Sequence, residues 1–174
     1  TSSWDATMKI HDLNTKKLLH YWEFQEFGSA FNVAWGPNNL YLISAQHKEL
    51  TMWEIDSQEP VRKFIGHQDQ VSSIRLSADQ KSLLTASWDG SIRVWDIGNA
   101  LMTKKLKGHS GAVHAAIYSD DEKSVFSAGA DRVIRHWNLE TSTVSRTFEG
   151  HKAEVTSLVL SPDNKMLISH SVDG

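Results

Sequence analysis

The sequence predicts an all-β fold assembled from tandem copies of one short unit. Gly-His dipeptides recur at a constant interval of 42 residues, at 66–67, 108–109 and 150–151. Tryptophan recurs at the same interval, at Trp53, Trp95 and Trp137. Because the residues between them alternate in short apolar and polar runs, each unit is expected to consist of β-strands rather than helices.

The unit from 66 to 107 contains four predicted strands joined by turn sequences. The strands are the runs 71–76, 81–87, 91–97 and 101–107, with SADQ, WDG and GNA between them. In the WDG turn, Asp89 can hydrogen-bond its own backbone and Gly90 tolerates a positive φ. The alternating apolar side chains of this unit are predicted to form the core, namely Val71, Ile74, Leu76, Leu83 and Ile92.

The period divides the chain into five units that match one another to different degrees. Units 66–107 and 108–149 match closely, whereas 25–65 is degenerate and its sheet is expected to be less rigid. The degenerate unit lacks Gly-His and places Ile43 and His47 where the other units have a hydroxyl and an aspartate. The end units 1–24 and 150–174 are predicted to be partial, with strands at about 7–12, 16–24, 154–160 and 166–170.

The composition argues against several classes of protein. Of the 174 residues, 40% are hydrophobic, which is enough for a core, and the net charge of −3 argues against a strongly basic nucleic-acid binder. The chain has no cysteine, which excludes disulfides and favours a reducing compartment. No segment approaches the roughly 18 apolar residues of a membrane span. We therefore expect an intracellular protein, cytoplasmic or nuclear, that does not contact a membrane.

The unit has Gly-His at one end and Trp-Asp at the other, and in this the sequence resembles the WD-repeat (WD40) β-propeller family over essentially all of its length. The resemblance implies four-stranded antiparallel blades, here about four repeats in an incomplete ring. Since propellers close with about four to eight blades, it also implies further blades from the same longer chain, or from a second chain.

The resemblance further implies a hydrogen-bond network inside each blade. In the family, the Gly-His histidine, a strand hydroxyl, the turn aspartate and the Trp-Asp tryptophan are joined, and a buried network of this kind makes a blade rigid. Carried over by position, the sets are His67, Thr85, Asp89 and Trp95, then His109, Ser127, Asp131 and Trp137, and finally an incomplete set of His151, Ser169 and Asp173.

The function implied by the resemblance is that of a non-catalytic scaffold for protein–protein interactions within a larger protein or multiprotein complex. A protein or peptide partner is expected on the narrow face of the disc, where the candidate contact residues are Trp4, Phe31, Gln46, Gln70, Ser72, Trp88, His114, Arg132 and Glu154. Trp4 and Trp88 stand out because tryptophan is enriched in interface hot spots. Trp95, by contrast, is expected to be buried.

Two other functions have weaker support in the sequence. His67, Thr85 and Asp89 have the residue types of a nucleophilic triad, but the same types recur in three units, which favours a structural role. We therefore expect no catalytic site, no cofactor and no metal site. The alternative to a protein scaffold is a nucleic-acid-binding, RNA-associated propeller that uses the outer-strand lysines, namely Lys16, Lys17, Lys104, Lys105 and Lys107. Charged residues on outer strands also have a structural explanation, since they protect sheet edges from aggregation.

Overall fold

The structure is a computed structural model that describes residues 1–2, 7–24 and 30–173, with the backbone alone for residues 30 and 31. The described residues form sixteen strands in five antiparallel sheets and a single 3-10 turn at Pro37–Asn39. The predicted all-β fold with four-stranded antiparallel sheets is therefore confirmed. None of the described residues forms a helix with the length and apolar character needed to cross a membrane.

Successive segments of the chain supply successive sheets. Sheet 1 contains β1 (Thr7–His11) and β2 (Leu18–Glu23). Sheet 2 contains β3 (Ala30–Trp35), β4 (Tyr41–Gln46), β5 (Glu49–Glu54) and β6 (Pro60–Phe64). Sheet 3 contains β7 (Val71–Leu76), β8 (Ser82–Ser87), β9 (Ser91–Asp96) and β10 (Met102–Lys107). Sheet 4 contains β11 (Val113–Tyr118), β12 (Ser124–Gly129), β13 (Ile134–Asn138) and β14 (Thr143–Phe148), and sheet 5 contains β15 (Val155–Leu160) and β16 (Leu167–Ser171).

The first strands of neighbouring sheets lie side by side, because β3 contacts β7, β7 contacts β11 and β11 contacts β15. Each of these strands has a β-bulge at its second residue, where the ladder skips one position. The bulged residues are Phe31, Ser72, His114 and Thr156. A bulge leaves one residue unpaired and redirects its side chain, so the same place in each sheet is freed from strand pairing.

The hydrophobic core is divided among the spaces between successive sheets. The space between sheets 2 and 3 is filled by residues that include Ile43, Phe64, Leu83 and Trp95. The space between sheets 3 and 4 is filled by residues that include Leu84, Leu106, Val125 and Trp137. Because neighbouring residues of a strand point to opposite faces, Leu83 packs toward sheet 2 while Leu84 packs toward sheet 4. Each four-stranded sheet thus contributes to two cores.

The core positions predicted for the unit 66–107 are confirmed. Val71, Ile74, Leu83 and Ile92 are buried, and Leu76 is half-buried against the cluster that contains Leu83. At the end of the array the covering is incomplete, since Val159 and Ile168 of sheet 5 are exposed. Within the described residues, the five sheets do not close into a ring.

The hairpin between β4 and β5 differs from its counterpart in sheet 3. Gln46 pairs with Glu49, so only residues 47 and 48 form the turn, whereas residues 88–90 separate β8 from β9. The missing residue shifts the correspondence between the sheets by one position. The expectation that Ile43 occupies the hydroxyl position is therefore wrong, because that place in the sheet belongs to Ser44, which pairs with Thr51.

Candidate functional site

The hydrogen-bond network of sheet 3 converges on a hydroxyl in the middle of β8. Thr85 Oγ1 lies 2.7 Å from His67 Nε2 and accepts a hydrogen bond of 2.9 Å from Trp95 Nε1–H. The other imidazole nitrogen, His67 Nδ1, lies 2.9 Å from Asp89 Oδ2. The four side chains connect β8, β9, the turn between them and the segment that precedes β7. All four are nearly inaccessible to solvent.

The pKa of His67 sets the direction of these hydrogen bonds. Burial lowers the pKa of His67 to about 4, although the Asp89 carboxylate opposes this shift, so the imidazole is neutral at pH 7. A neutral ring donates from Nδ1–H to Asp89 and accepts at Nε2 from the Thr85 hydroxyl. Thr85 in turn accepts from the Trp95 indole. Every donor in the chain from Trp95 to Asp89 therefore has an acceptor, which is the condition for a buried polar network to stabilise a fold.

The turn carboxylate has more hydrogen-bond donors than the network alone supplies. Burial by itself would raise the pKa of Asp89, but hydrogen bonds from Ser91, the Gln68 amide and His67 outweigh it, and the pKa lies well below its ordinary value. Arg93 Nη2 lies 3.5 Å from Asp89 Oδ2, and the buried guanidinium stacks over the Trp95 ring at 5.7 Å. Asp89 is thus a fixed anion at neutral pH.

Sheet 4 repeats this arrangement with serine in place of threonine. Ser127 Oγ lies 2.7 Å from His109 Nε2 and accepts a 2.7 Å hydrogen bond from Trp137 Nε1–H. His109 Nδ1 lies 2.9 Å from Asp131, whose other oxygen is 2.6 Å from Arg135 Nη1. Burial also lowers the pKa of His109. The four side chains are therefore brought together in both complete sets.

The third set is more open. His151 Nε2 lies 2.8 Å from Ser169 Oγ, and Nδ1 lies 3.3 Å from both carboxylate oxygens of Asp173. The Lys152 amide donates a 2.6 Å hydrogen bond to Asp173 and is the largest cause of the lowered pKa of that carboxyl. This set therefore keeps its histidine contacts with less burial than in sheets 3 and 4.

The sequence missed two parts of these networks. In sheet 2, Trp53 Nε1–H donates a 2.9 Å hydrogen bond to Ser44 Oγ, although the sequence assigned no hydroxyl to this unit. Arg93 and Arg135 are the other missed residues, and each pairs with a turn aspartate. Their spacing of 42 residues could have revealed them.

The hydroxyls of the two complete networks are buried and are not placed for nucleophilic attack. The Thr85 oxygen is fully buried and is in contact with both the His67 imidazole and the Trp95 indole, so an electrophilic substrate has no path to it. Across the described residues, no three carboxylate or imidazole groups are grouped so that they could hold a metal ion. The arrangement can fix the turns relative to the strands, and it leaves recognition to the side chains at the surface.

That surface is formed by the hairpin turns and by the segments that precede each first strand, and we call it the hairpin face (residues 46–49, 66–72, 87–91, 108–114, 129–133 and 150–156). Trp88 lies in a hairpin turn and is 45% exposed. Its indole meets the His114 imidazole edge to face, with ring centroids 6.4 Å apart and planes at 88°. His114 Nε2 lies 2.9 Å from Glu154 Oε2. Three predicted contact residues therefore form a continuous row across sheets 3, 4 and 5.

The other predicted contact residues have different environments. Gln46 lies within β4 rather than in the turn, and its Nε2 atom is buried without a hydrogen-bond partner among the described residues. Gln70 accepts a hydrogen bond from the Trp88 amide, and Ser72 donates from its bulge to the Val113 carbonyl. Arg132 is exposed in the turn of sheet 4, with a left-handed φ of 66°.

Two of the predicted contact residues lie wholly or partly outside the described part of the chain. Trp4 lies outside the described residues, as does the side chain of Phe31.

A comparison with protein families identifies the repeat. The model of the WD domain, G-beta repeat, matches residues 58–96, 101–138 and 142–174, which together make up more than half of the chain. The chain belongs to the WD40 family. Each matched span begins near the fourth strand of one sheet and continues into the next sheet, so a WD40 repeat links two neighbouring sheets.

Curated WD40 relatives are similar over part of their length. The chain is 27% identical over 93 residues to the guanine nucleotide-binding protein subunit beta of Schizosaccharomyces pombe, covering 53% of this chain and 30% of that protein. It is 26% identical over 94 residues to the WD repeat domain-containing protein 83 homolog of Dictyostelium discoideum, covering 53% and 29%. It is 40% identical over 63 residues to the small ribosomal subunit protein RACK1 of Saccharomyces cerevisiae, covering 33% and 20%. The matched part thus spans less than a third of each relative. At the family level, WD40 proteins are generally non-catalytic scaffolds for protein interaction.

Proposed function

We propose that this chain is a rigid, non-catalytic scaffold that binds a protein or peptide partner through its hairpin face, within a larger protein or multiprotein complex. The observation that carries the proposal is the exposure of Trp88 beside His114 on a turn whose aspartate is fixed from below. Tryptophan is among the residues that contribute most to interface affinity, and a pre-ordered anchor loses little entropy on binding.

Trp88 and Trp95 each precede an aspartate, but we propose different roles for them. Trp95 is 1% exposed and belongs to the core between sheets 2 and 3, whereas Trp88 makes no such core contact. We assign Trp95 to stability and Trp88 to recognition. In this proposal, blades from the same longer chain or from a second chain complete the ring. The lack of cysteine supports a location in the cytoplasm or nucleus.

The test compares two exposed tryptophans. Trp88→Ala is expected to leave the free energy of unfolding within about 1 kcal/mol of wild type and to abolish capture of proteins that wild type retains from a cell extract. Trp35 is 52% exposed at the opposite end of its strand, so Trp35→Ala should capture the same proteins as wild type.

The same experiment needs a measure of structural damage. Trp95→Ala should lower the free energy of unfolding by about 3–5 kcal/mol, the usual range for a buried aromatic residue. Unaltered capture by Trp88→Ala, quantified by mass spectrometry alongside Trp35→Ala, would contradict the assignment of Trp88 to recognition. Unfolding of the Trp88→Ala variant would contradict the division of roles between the two tryptophans.

A further inference from the structure

We propose that the surface around Trp88 binds a cationic side chain, lysine or arginine, of its protein partner. This inference rests on the proposed function and adds the chemistry of the group that is recognised. Three features of the hairpin face carry it: an aromatic ring held in place, two carboxylates with unused oxygens, and the absence of any resident lysine or arginine in the segments beside the ring.

The Trp88 backbone is held on both sides. Its amide donates a 2.9 Å hydrogen bond to the Gln70 carbonyl. On the other side, Gly90 has a left-handed φ of 77° and approaches the next sheet so closely that a Cβ there would lie 3.3 Å from the Gly111 carbonyl oxygen. The contact with His114 occupies only part of the indole, which remains 45% exposed. Indole is the aromatic group that attracts cations most strongly.

Two carboxylates belong to residues that are linked to Trp88 through hydrogen bonds and ring contacts. His114, which contacts the Trp88 ring, also contacts Glu154 at its Oε2 atom. The other oxygen of Glu154, Oε1, receives no hydrogen bond from the described residues. The Ser87 hydroxyl donates a 3.0 Å hydrogen bond to the Asp69 carbonyl, which ties the segment of Asp69 to the turn of Trp88. Asp69 Oδ1 accepts from the Gln70 amide and lies 3.9 Å from His47, while Oδ2 has no partner among the described residues.

Both carboxylates are accessible, with side-chain exposures of 50% for Asp69 and 54% for Glu154. Each therefore presents one free oxygen to solvent on the hairpin face. A charge-assisted hydrogen bond to such an oxygen is stronger than a neutral one, and a guanidinium or ammonium group can make it while lying against the indole.

The exposed cations of the hairpin face, Lys48, Arg132 and Lys152, lie outside the segments next to the ring. Residues 68–70, 86–91 and 109–114 contain neither lysine nor arginine. The guanidinium of Arg93, in the adjoining strand, is buried and paired with Asp89. An acidic partner would meet like charge here, and a purely apolar partner would cover the two carboxylates without pairing them. Electrostatic complementarity therefore favours a basic side chain.

The first experiment measures the charge preference directly with defined probes. A ¹⁵N-labelled chain is titrated with the peptide acetyl-Gly-Ser-Arg-Ser-Gly-amide and with the same peptide carrying citrulline, the neutral isostere of arginine. The Trp88 indole N–H signal, assigned by its loss in Trp88→Ala, should shift with the arginine peptide at an affinity about three- to tenfold higher than with the citrulline peptide. This advantage should shrink in about 0.3 M salt, and Trp35→Ala should behave as wild type.

Charge-neutralising variants test the contribution of the carboxylates. Asp69→Asn and Glu154→Gln should each reduce the preference for arginine over citrulline, and the double variant should remove it. Equal affinity of wild type for the two peptides, a preference for a glutamate peptide, or an arginine preference that the double variant retains would overturn the proposal.

Failure of this inference can be told apart from failure of the proposed function. If Trp88→Ala loses captured proteins while the Asp69→Asn, Glu154→Gln double variant retains all of them, the scaffold function stands and the cationic partner is refuted. If Trp88→Ala retains every captured protein, the proposed function fails, and the peptide titration still decides whether the surface prefers a cation.

Discussion

At the scale of single residues, one hydroxyl oxygen connects each complete network. Thr85 Oγ1 contacts His67 and Trp95 at the same time, and in the next sheet Ser127 Oγ contacts His109 and Trp137. In sheet 3 the geometry favours a neutral imidazole. A protonated His67 would donate from Nε2–H to the Thr85 oxygen, and the Thr85 hydroxyl would then have to donate to the more distant Arg93 carbonyl, 3.5 Å away. Stability should therefore depend on the protonation of these histidines.

The free energy of unfolding is expected to fall as the pH drops from about 6.5 to about 4. In this window the unfolded chain binds a proton at His67, whose ordinary pKa is 6.5, while the native side chain stays neutral until its lowered pKa of about 4. The loss from His67 reaches about 3 kcal/mol at the lower end, and His109 contributes in the same direction. Above pH 6.5 both states are neutral and this contribution is constant.

Urea unfolding followed by tryptophan fluorescence at pH 7 and pH 5 measures this effect. His67→Gln removes the titration of His67, so its stability should change less with pH than that of wild type. Asp89 and Asp131 do not confuse the result, because their lowered pKa values place their loss of stability below about pH 4. A stability that is constant between pH 7 and pH 5 would contradict the buried neutral histidine.

The sequence predicted residues that recur at a fixed interval and missed those that depend on local geometry. His67, Asp89 and Trp95 were placed correctly by position because sheet 3 follows the period without insertion. Ser44 was missed because the period does not report a hairpin that is one residue shorter. The contact of Trp88 with His114 was also missed, because the bulged positions 72, 114 and 156 recur at the interval of 42 residues but carry three different residue types that do not mark a bulge.

At the scale of elements, sheet 2 is built with fewer polar restraints than sheets 3 and 4. It has the Trp53–Ser44 hydrogen bond, but its turn contains His47 and Lys48 instead of an aspartate. Its apolar packing is otherwise complete, since Ile43, Leu50 and Phe64 are fully buried. The difference between the sheets therefore lies in how firmly the turn is tied to the strands.

Amide hydrogen exchange should reveal this difference. The amides of β4 and β5 next to their turn are expected to exchange about tenfold faster than the matching amides of β8 and β9, which corresponds to the loss of about one hydrogen bond of restraint. Thr85→Val, which keeps the side-chain volume and removes the hydroxyl, should raise exchange in sheet 3 toward the level of sheet 2. Slower exchange in sheet 2 than in sheet 3 would refute the assigned difference in rigidity.

At the scale of the whole molecule, stability comes from faces shared between neighbouring sheets. Leu84 and Ile168 occupy the same place in their strands, two periods apart, yet Leu84 is buried between sheets 3 and 4 while Ile168 is exposed. Phe148 is likewise 43% exposed, although Phe64 and Leu106, at the matching positions, are fully buried. A residue at the same position of the repeat thus contributes to stability only where a neighbouring sheet covers it.

This pair of positions provides a matched test. Ile168→Lys should change the free energy of unfolding by no more than about 0.5 kcal/mol, because the side chain already contacts water. Leu84→Lys should cost more than about 4 kcal/mol, because it buries an unpaired charge. Thermal unfolding followed by circular dichroism measures both. Similar losses of stability in the two variants would show that the outer face of sheet 5 is covered in solution.

The bulges at positions 31, 72, 114 and 156 have a consequence for protein engineering. At most places in a β-strand, one side chain must serve both ladder pairing and packing, so a change of identity disturbs the fold. A bulged residue is exempt from pairing, and here one such place recurs at the second residue of the first strand in each of sheets 2 to 5. Ser72 is kept, because its hydroxyl donates to the Val113 carbonyl of the next sheet. Randomising the other three codons should therefore yield a library of new ligand specificities on an unchanged framework.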